Sequence, residues 1–377
     1  MPRPSYKLHI NARFLGNAHQ TGTHRSSTRF LKSIVDSSEG VPCVIHGDRA
    51  SADRVQLTSS TPVEVLDTGV PGHLSKHVYE QLRFPRIVGG DFALHMMNTG
   101  PFILPNRKQI LIIHDLNPFK CKDSFSKGFR AWNWFACKHA IKRSFHVISF
   151  SKYVTAEIQR EFNFEPHQLS TIYQGPGLDI PVEFKSDFIR SKSKYFLCVG
   201  SLQPHKNLLR VLEAWKQTSL SASGYQLKII GKQQAGFQDL KISPDLLSDP
   251  SLKFTGYVSD AELIQLYREA SALVYPSIEE GFGLPVVEAF YLGCPVITSA
   301  RSCLPEIAGD AACLVDPFSI QEIADAMLQI ASEQSLRERL IELGRERQGL
   351  FSWERAGREF WQIISRLEAF ESNHAIK

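Results

Sequence analysis

Short apolar runs alternate with stretches of helical periodicity along most of the chain. In the first half, the apolar runs predict strands at 8–11, 44–46, 92–95, 110–114 and 146–150. The stretches with a period near 3.6 predict helices at 26–35 and 127–144, and a further helix that Ser151 caps and that runs to Phe162. Because apolar strands that alternate with helices form parallel sheets covered on both faces, this half predicts a Rossmann-like domain.

The same alternation restarts after the turn Gly175-Pro176-Gly177. The second series predicts strands at 195–200, 226–230, 253–255, 272–275 and 295–298, and helices at 206–215, 261–270, 284–292 and 320–331. We therefore expect one domain over 1–180 and another over 181–355. Ligands bind such sheets beyond the carboxyl ends of the strands, so the residues that follow each strand are the candidates for function.

Length and composition agree with this organisation. The chain has 377 residues, of which 43% are hydrophobic and 22% are charged, as in ordinary globular proteins with two domains. The sequence lacks a run of about 20 apolar residues and a secretory signal. The seven cysteines are odd in number and lack C-x2-C spacing, which favours reduced thiols over a zinc site or disulfides. The expected location is the cytoplasm.

The net charge differs between the two halves. Residues 1–180 carry 22 Lys and Arg against 14 Asp and Glu, whereas the remainder is acidic. The basic half is expected to face an anionic partner, and the excess is too small to favour nucleic acid. Residues 118–146 mix basic and aromatic side chains, so this stretch either lies peripherally on the inner face of an anionic membrane or forms a core helix with a solvated basic face.

Two carboxylates eight positions apart follow the strand that ends at Tyr275. Glu280 lies in a glycine-containing loop, and Glu288 lies within the helix that Pro285 begins. Glycines let the backbone approach a ligand, and the amides at a helix start bind anions. We expect one carboxylate to accept hydrogen bonds from a sugar and the other from a ribose. Glu279 is out of register and is expected to be a solvated neighbour.

This E-x7-E pattern, with Gly-Phe-Gly-Leu-Pro inside it, resembles the signature of the family-4 retaining glycosyltransferases of the GT-B fold. The resemblance implies an α/β fold in which two Rossmann-like domains face each other across a cleft, and a C-terminal helix, here 356–377, crosses back to the first domain. It further implies that Glu280 contacts the donor hexose and that Glu288 binds the nucleotide ribose. The amides expected to face the sugar and the diphosphate are those of Gly281, Phe282, Gly283 and Leu284.

A second motif follows the strand at 195–200 and opens a helix. Gly200-Ser201-Leu202-Gln203-Pro204-His205-Lys206-Asn207 is similar to a family element whose basic residue neutralises the donor diphosphate. Lys206 stands at that position, and Ser201 is a further candidate contact. Because relatives often carry Arg where this chain has Ser201 and His205, the positive charge is expected to rest mainly on Lys206.

Two lesser elements of the second half also resemble the family. Gly256 and Tyr257 occupy a turn that lies near the nucleobase in relatives, and they are donor-binding candidates. Lys232 follows the strand at 226–230 and is a weaker candidate for the diphosphate or the base.

In the first half, His114-Asp115 ends the strand at 110–114. In the family this His reaches the transferred sugar, where a neutral imidazole hydrogen-bonds the sugar or stabilises charge in the transition state. Asp115 either orients His114, caps the next helix or meets the acceptor. The Thr21-Gly22 loop resembles the family's loop after the first strand, and Gly22 lets it approach the diphosphate or the acceptor. Arg25 is a candidate for an acceptor phosphate, or a surface residue.

The implied reaction breaks the bond between the hexose C1 and a nucleoside diphosphate, so the leaving group gains negative charge. Lys206 and the helix-start amides are suited to stabilise it, and the candidate catalytic residues are His114, Lys206 and Glu280. An Asp-x-Asp pattern, the usual ligand of a metal-bound diphosphate, is absent from the sequence. We therefore expect neither a metal nor a cofactor besides the nucleotide-sugar.

The expected function is transfer of a hexose, with mannose-like donors favoured, to a glycan or lipid-linked acceptor in polysaccharide or lipopolysaccharide biosynthesis. Two alternatives stay open. A nucleotide-sugar epimerase of similar architecture consumes the donor without an acceptor, and a non-catalytic nucleotide-sugar-binding protein does not consume it.

Overall fold

The computed structural model describes residues 6–15, 22–53, 55, 63–67, 73–102, 108–185, 192–231 and 242–374. The chain divides into two compact units, each with its own sheet. The first unit draws on the chain up to Leu116, on Lys127–Gly175 and on the segment from Ser352 onward. The second unit consists of Asn117–Ser126 and Pro176–Phe351.

The strands of the first unit all run parallel. They are β1 (Leu8–Asn11), β2 (Cys43–Gly47), β3 (Val63–Asp67), β4 (Phe92–His95), β5 (Gln109–Ile113), β6 (His146–Ser149) and β7 (Leu169–Thr171). Within the described residues they form a sheet in the order β3-β2-β1-β4-β5-β6-β7. The strand order reverses between β1 and β4, and such a reversal opens a crevice at the carboxyl edge of a sheet.

The strands of the second unit also run parallel. They are β8 (Tyr195–Val199), β9 (Gln226–Ile230), β10 (Leu252–Gly256), β11 (Ala272–Tyr275), β12 (Val296–Ser299) and β13 (Cys313–Val315). Their order in the described part of the chain is β10-β9-β8-β11-β12-β13. Here the order reverses between β8 and β11, so the loops after these two strands flank the crevice.

Helices cover the sheets in both units. In chain order they are α1 (Gly22–Asp36), α2 (Arg49–Asp53), α3 (His73–Leu82), α4 (Phe84–Val88), α5 (Asn117–Lys120), α6 (Lys127–Arg143), α7 (Lys152–Phe162), α8 (Leu208–Thr218), α9 (Pro244–Ser248), α10 (Asp260–Glu269), α11 (Leu284–Tyr291), α12 (Leu304–Ala308), α13 (Ile320–Ser332), α14 (Gln334–Gln348) and α15 (Trp353–His374). In the part of the chain that the structure describes, none of these helices is both long enough and apolar enough to cross a bilayer.

The C-terminal helix α15 packs against α1, as the fold class predicts. The Trp361 indole N–H donates to the carbonyl of Ile34 at 2.8 Å, and the Phe360 ring meets the Phe30 ring edge-on at 5.9 Å. Gly357 allows this approach, because a Cβ there would lie 2.6 Å from the carbonyl oxygen of Ser33. The last helix therefore completes the core of the first unit.

The alternation of parallel strands and helices predicted from the sequence is confirmed. The sequence patterns missed β7 and α14, among other elements. β7 is a three-residue edge strand, Leu-Ser-Thr, which is too short to form an apolar run. In α14, the interior Gly344 resembles a helix break, but its position is fixed by packing, because a Cβ there would lie 2.8 Å from the Phe290 ring.

Candidate active site

The loop after β8 carries the basic residue of the second unit. A short 3-10 turn, Pro204–Lys206, leads into α8 through Asn207, which has a positive φ of 65°. The Asn207 side-chain amide donates to the carbonyls of Pro276 at 3.0 Å and Pro317 at 2.6 Å. Asn tolerates this backbone conformation better than most residues, and its side chain fastens the Lys206 turn to the loops after β11 and β13.

Lys206 forms an ion pair with Glu280 at the carboxyl edge of the sheet. The Lys206 ammonium lies 2.6 Å from Glu280 Oε1 and 3.0 Å from the hydroxyl of Tyr275. The Tyr275 hydroxyl also donates to Glu280 Oε1 at 2.5 Å. A strand end and two loops thus bring three polar side chains together at the point where the strand order reverses.

The ion pair keeps both groups charged near neutral pH. Burial by itself raises the pKa of Glu280, but the neighbouring Lys206 ammonium outweighs this effect and holds the pKa below its usual value. Burial lowers the pKa of Lys206, and the Glu280 carboxylate more than reverses this, so the net shift is upward. The site therefore presents a fixed cation held by a fixed anion.

The loop between Glu280 and α11 contains a buried aromatic side chain and a glycine with a positive φ. The Phe282 side chain is buried and meets the Phe351 ring edge-on at 5.9 Å, so this side chain belongs to the core, and contact of the Phe282 amide with a donor stays a prediction. Gly283 caps α11 with a φ of 93°, and a Cβ there would lie 2.7 Å from Leu304. Gly283 is thus required both by the backbone conformation and by the space. Contact of the amides of Gly281 and Leu284 with a ligand stays a prediction.

Glu288 lies in the middle of α11 and is buried. Its Oε2 accepts a hydrogen bond from the Tyr267 hydroxyl at 3.0 Å. On its other side the backbone of Gly177 comes so close that a Cβ there would lie 2.9 Å from Glu288 Oε1. The carboxylate is therefore held in one orientation, while its contact with a ribose stays a prediction.

Glu279 differs from the expectation of a solvated neighbour. Its side chain is only 16% exposed, and Oε1 lies 3.3 Å from the ammonium of Lys120. The expectation was wrong because Lys120 lies more than 150 positions earlier in the sequence, and only the tertiary structure brings the segment Asn117–Ser126 to this loop.

Three neighbouring strands of the second sheet have a glycine at their carboxyl ends: Gly200 directly follows β8, Gly231 directly follows β9, and Gly256 is the last residue of β10. The Gly200 amide donates to the carbonyl of Ile230 at 3.0 Å, and the Gly231 amide donates to the carbonyl of Gly256 at the same distance. A Cβ at Gly231 would lie 1.9 Å from the Gly200 carbonyl oxygen, so a side chain has no room there. Small residues thus keep the carboxyl edge open beside Lys206.

The remaining donor candidates of the second unit lie at this same edge. Ser201 is exposed in the loop after β8, and Tyr257 follows Gly256 with 74% of its surface exposed. Their contact with a nucleotide stays a prediction. Lys232 lies outside the described residues.

His114 follows β5 in the first unit and is buried. Its Nε2 lies 2.8 Å from the carbonyl of Met96 and 3.1 Å from the Ser27 hydroxyl. Burial lowers the pKa of His114 to about 4, so the imidazole is neutral near pH 7. A carbonyl only accepts hydrogen bonds, so Nε2 carries the proton and Nδ1 is the basic nitrogen. The neutral imidazole expected from the sequence is consistent with this environment.

The other candidates of the first unit lie at the start of α1 and directly after His114. Gly22 is the first residue of α1 and Arg25 lies in its first turn, whereas Thr21 lies outside the described residues. Asp115 directly follows His114, and its carbonyl accepts a hydrogen bond from the Asn98 side chain at 3.4 Å. The same Asn98 accepts from the His114 amide at 2.7 Å, so it fixes the backbone on both sides of this pair. Their contacts with an acceptor stay predictions.

A buried polar network supports the carboxyl edge of the first sheet. Glu80 accepts hydrogen bonds from Asn11 at 2.7 Å and from Arg13 at 2.6 Å. Arg13 also donates to Thr99 at 2.6 Å, and His95 lies 3.2 Å from the Asn11 amide. The network joins the chain after β1 to the chain after β4, which flank the reversal of strand order. Sequence patterns did not reveal it, because its members are spread over 88 positions.

Sequence reasoning also missed the two tyrosines that hold the carboxylates. Tyr275 was assigned only to the end of a strand, and Tyr267 only to a helix. A periodicity pattern does not show which hydroxyl points at a carboxylate. In the described part of the chain, no three His, Cys, Asp or Glu side chains come together as a metal-binding group, and independence from metal stays a prediction.

Comparison with known proteins supports the resemblance to glycosyltransferases for the second unit. Residues 179–347 match the family model of glycosyl transferases group 1. The matched residues include Lys206, Tyr275, Glu280 and Glu288. The match covers less than half of the chain and lies within the second unit.

Solved structures resemble the chain over nearly its whole length. A sucrose-phosphate synthase from Thermosynechococcus elongatus matches with a TM-score of 0.73 and 18% identity, over 97% of this chain and 99% of that one. WaaG, a glycosyltransferase involved in lipopolysaccharide biosynthesis, matches with a TM-score of 0.70 and 16% identity, over 95% and 99%. The fold is that of the GT-B glycosyltransferases. At these identities the likeness concerns the fold alone.

Two of the curated relatives that the chain resembles are named as O-antigen chain mannosyltransferases. The O-antigen chain mannosyltransferase RfbU of Salmonella typhimurium is 35% identical over 214 residues, which cover 56% of this chain and 57% of RfbU. The O-antigen chain mannosyltransferase B of Escherichia coli is 29% identical over 279 residues, which cover 70% of this chain and 71% of that protein. The chain thus spans little more than half the length of RfbU in that alignment.

Proposed function

We propose that the protein is a retaining hexosyltransferase of family 4. In this proposal it transfers a mannose-like sugar from a nucleoside diphosphate to a glycan or lipid-linked acceptor in polysaccharide or lipopolysaccharide biosynthesis. The observation that carries the proposal is the ion pair of Lys206 and Glu280 beside Tyr275. It occupies the reversal of strand order in a domain that matches group 1 glycosyltransferases. The named activities of RfbU and of the E. coli enzyme favour mannose.

Each side chain has a separate task in this proposal. The Lys206 ammonium faces the diphosphate and stabilises the charge that it gains when the C1–O bond breaks. Oε1 of Glu280 is engaged by Lys206 and Tyr275, so we assign the hexose hydroxyls to Oε2. Glu288 accepts from the ribose hydroxyls in the orientation that Tyr267 fixes. His114 offers Nδ1 as an acceptor for a hydroxyl of the transferred sugar.

The proposed bond changes balance without a protein base. The bond between C1 and the diphosphate oxygen breaks, and a bond from the acceptor oxygen to the same face of C1 forms. The acceptor proton passes to the departing diphosphate oxygen, which is basic once the bond has broken. Neutralisation of the diphosphate rests on Lys206 and the amides of the 281–284 loop, so we propose that no metal is required.

One assay tests the function. The purified protein is incubated with GDP-, UDP- and dTDP-hexoses, with and without a saccharide acceptor, and nucleoside diphosphate release is followed. We expect release that depends on the acceptor and that a Lys206→Met variant loses. Conversion of the donor without acceptor would indicate the epimerase alternative. Binding without conversion would indicate a non-catalytic protein, and either result would contradict the proposal.

We also propose a peripheral membrane contact. It involves exposed residues of α6 and not the whole stretch 118–146. On α6 the rings of Phe129, Trp132 and Phe135 are about half exposed, and basic residues such as Lys127 and Lys138 lie on the same helix. Aromatic and basic side chains together favour an anionic interface. Two other aromatic residues of the stretch are half-buried against neighbouring rings: the Trp134 ring lies 5.2 Å from Phe162, and the Phe125 ring stacks on His205.

Sedimentation with anionic vesicles tests this contact. We expect the protein to sediment at low salt and to be released as salt screens the charges. A Trp132→Ala/Phe135→Ala variant should remain in the supernatant, whereas Phe370→Ala, which removes an exposed ring on α15, should behave as the wild type. A wild-type protein that stays in the supernatant at low salt contradicts the membrane contact and leaves the transferase proposal intact.

A further inference from the structure

A ten-residue segment from the first half of the chain packs on the second unit. Asn117–Ser126 contains α5 and a 3-10 turn at Lys122–Ser124, and it groups with the unit that carries Lys206 and Glu280. Asn117 and Pro118 are buried, whereas Lys122 and Asp123 are exposed. We refer to Asn117–Ser126 as the brace.

The brace holds the residue just before each member of the ion pair. Lys120 lies 3.3 Å from the carboxylate of Glu279, which precedes Glu280. The Ser124 hydroxyl lies 3.0 Å from Nδ1 of His205, which precedes Lys206. The Phe125 ring stacks on the same imidazole with an angle of 16° between the planes. Two side-chain contacts and one ring stack thus reach both loops of the site.

The two braced loops are also joined to each other. The Ile278 amide donates to the carbonyl of His205 at 2.8 Å, and Lys206, the next residue after His205, reaches Glu280, two residues after Ile278. A shift of either loop therefore displaces the other. Because burial lowers the pKa of His205 to about 4, its imidazole is neutral near pH 7, and its Nδ1 shares a hydrogen bond with the Ser124 hydroxyl.

We propose that the brace positions the donor-binding ion pair, with Lys120 and Ser124 as positioning residues that act through Glu279 and His205. This inference rests on the proposed function for the role of the ion pair. It assigns part of the donor affinity to residues outside 179–347, the segment that matches the glycosyltransferase family model. His205 is a neutral partner that stacks on Phe125, whereas an Arg at this position would bring a positive charge to the brace.

Steady-state kinetics with the full-length protein test the role in donor binding. Lys120→Met should raise the donor KM about fivefold, with kcat and the acceptor KM nearly unchanged, because it loosens the Glu280 loop without removing a donor contact. Ser124→Ala should raise the donor KM about threefold. The matched control is Lys122→Met, which removes an exposed lysine of the brace and should leave the donor KM unchanged. Lys120→Arg should retain most of the wild-type affinity.

Exchanging the charges of Lys120 and Glu279 distinguishes an effect of their ion pair from a general effect of the substitutions on folding. Lys120→Glu should raise the donor KM more than Lys120→Met does, since two carboxylates then face each other. Adding Glu279→Lys should restore much of the loss. A donor KM for Lys120→Met equal to that for Lys122→Met, or no recovery in the exchanged pair, overturns the inference.

Amide hydrogen exchange tests independently of activity whether the brace restrains the two loops. Amides in 203–210 and 276–284 should exchange faster in a Lys120→Met/Ser124→Ala variant than in Lys122→Met. Equal exchange in the two variants overturns the brace even if the wild type is an active transferase. A wild type without donor turnover contradicts the proposed function, while faster exchange in the double variant still supports the brace. Faster exchange with an unchanged donor KM overturns the role in donor binding.

Discussion

The ammonium of Lys206 lies 2.6 Å from Oε1 of Glu280, although the two residues are 74 positions apart in the chain. The pair has two consequences for the proposed chemistry. Lys206 is held in place before a donor arrives, so less reorganisation is needed when the diphosphate gains charge. Glu280 has one oxygen committed to the protein, which fixes the direction of the other.

The first prediction concerns this pair. Lys206→Met removes the fixed cation and leaves the Glu280 carboxylate without its ammonium. We expect kcat to fall by about 10² to 10³, the usual effect of losing one group that stabilises transition-state charge. We also expect a loss of about 3 kcal/mol in unfolding free energy, the lower end for a broken buried pair, because the Lys206 side chain is 20% exposed.

Glu280→Gln and a matched lysine variant complete this test. Lys216→Met removes an exposed lysine of α8 and should alter neither quantity. In a double-mutant cycle, Lys206→Met and Glu280→Gln should show a strong coupling energy. Additive effects of the two substitutions would show that the pair does not act as a unit.

The second prediction concerns the orientation of Glu288. Tyr267→Phe removes the hydroxyl that donates to Oε2 at 3.0 Å. A hydrogen bond to a charged group contributes about 1.5–3 kcal/mol, so we expect unfolding to become easier by about 1.5 kcal/mol and the donor KM to rise about tenfold. Tyr225→Phe is the matched control, since its hydroxyl donates to the Ala331 carbonyl in the same unit. An equal donor KM in the two variants would exclude a special role for Tyr267.

The third prediction concerns the protonation of His114. Its pKa of about 4, which burial causes, means that its charge does not change between pH 6 and 8. The pH profile of kcat/KM should therefore contain no inflection between pH 6 and 8 that is due to His114, so the wild type and His114→Phe should give profiles of the same shape. The variant itself should lose about tenfold in kcat/KM at all these pH values, as expected for one lost hydrogen bond. His167→Phe, at an exposed position, is the control. An inflection near pH 6.5 that disappears only in His114→Phe would contradict the neutral imidazole.

The fourth prediction concerns the glycine at the end of β9. Gly231→Ala places a Cβ 1.9 Å from the Gly200 carbonyl oxygen, so the ends of two strands must separate. We expect a loss of about 3 kcal/mol, at the upper end for overpacked positions, measured by urea unfolding. Gly90→Ala is the control, because a Cβ there meets nothing within 4 Å. A Gly231→Ala variant as stable as the control would mean that the strand ends are not closely packed.

The fifth prediction concerns stability and pH. Burial lowers the pKa of His46 to about 3 and that of His95 to about 4, against about 6.5 when unfolded. Unfolding therefore takes up protons between these values, so stability is complete above about pH 6.5 and falls as pH falls toward 4. Each of these two histidines changes the free energy of unfolding by up to about 1.4 kcal/mol per pH unit in this range. His95→Gln should flatten the profile from urea unfolding at pH 7.5, 6 and 5, whereas His167→Gln should not.

The sequence by itself determined the alternation of the main strands with helices and the motifs that carry the site. The buried parallel strands β1, β2 and β4–β6 are apolar runs because both of their faces are covered. Lys206, Glu280 and Glu288 stand in motifs whose spacing relative to a strand end is local. Folding preserves local spacing, so the sequence alone is enough to recognise these residues.

Only the tertiary structure decided which side chains meet. Tyr275 and Lys206 converge on Glu280, Tyr267 on Glu288, and Lys120 on Glu279, and none of these residues is identified by periodicity. These contacts depend on loops from strands that are neighbours in the sheet and distant in the chain. Strand order follows from how the helices pack between the strands, and a pattern along one strand contains no information on its neighbours.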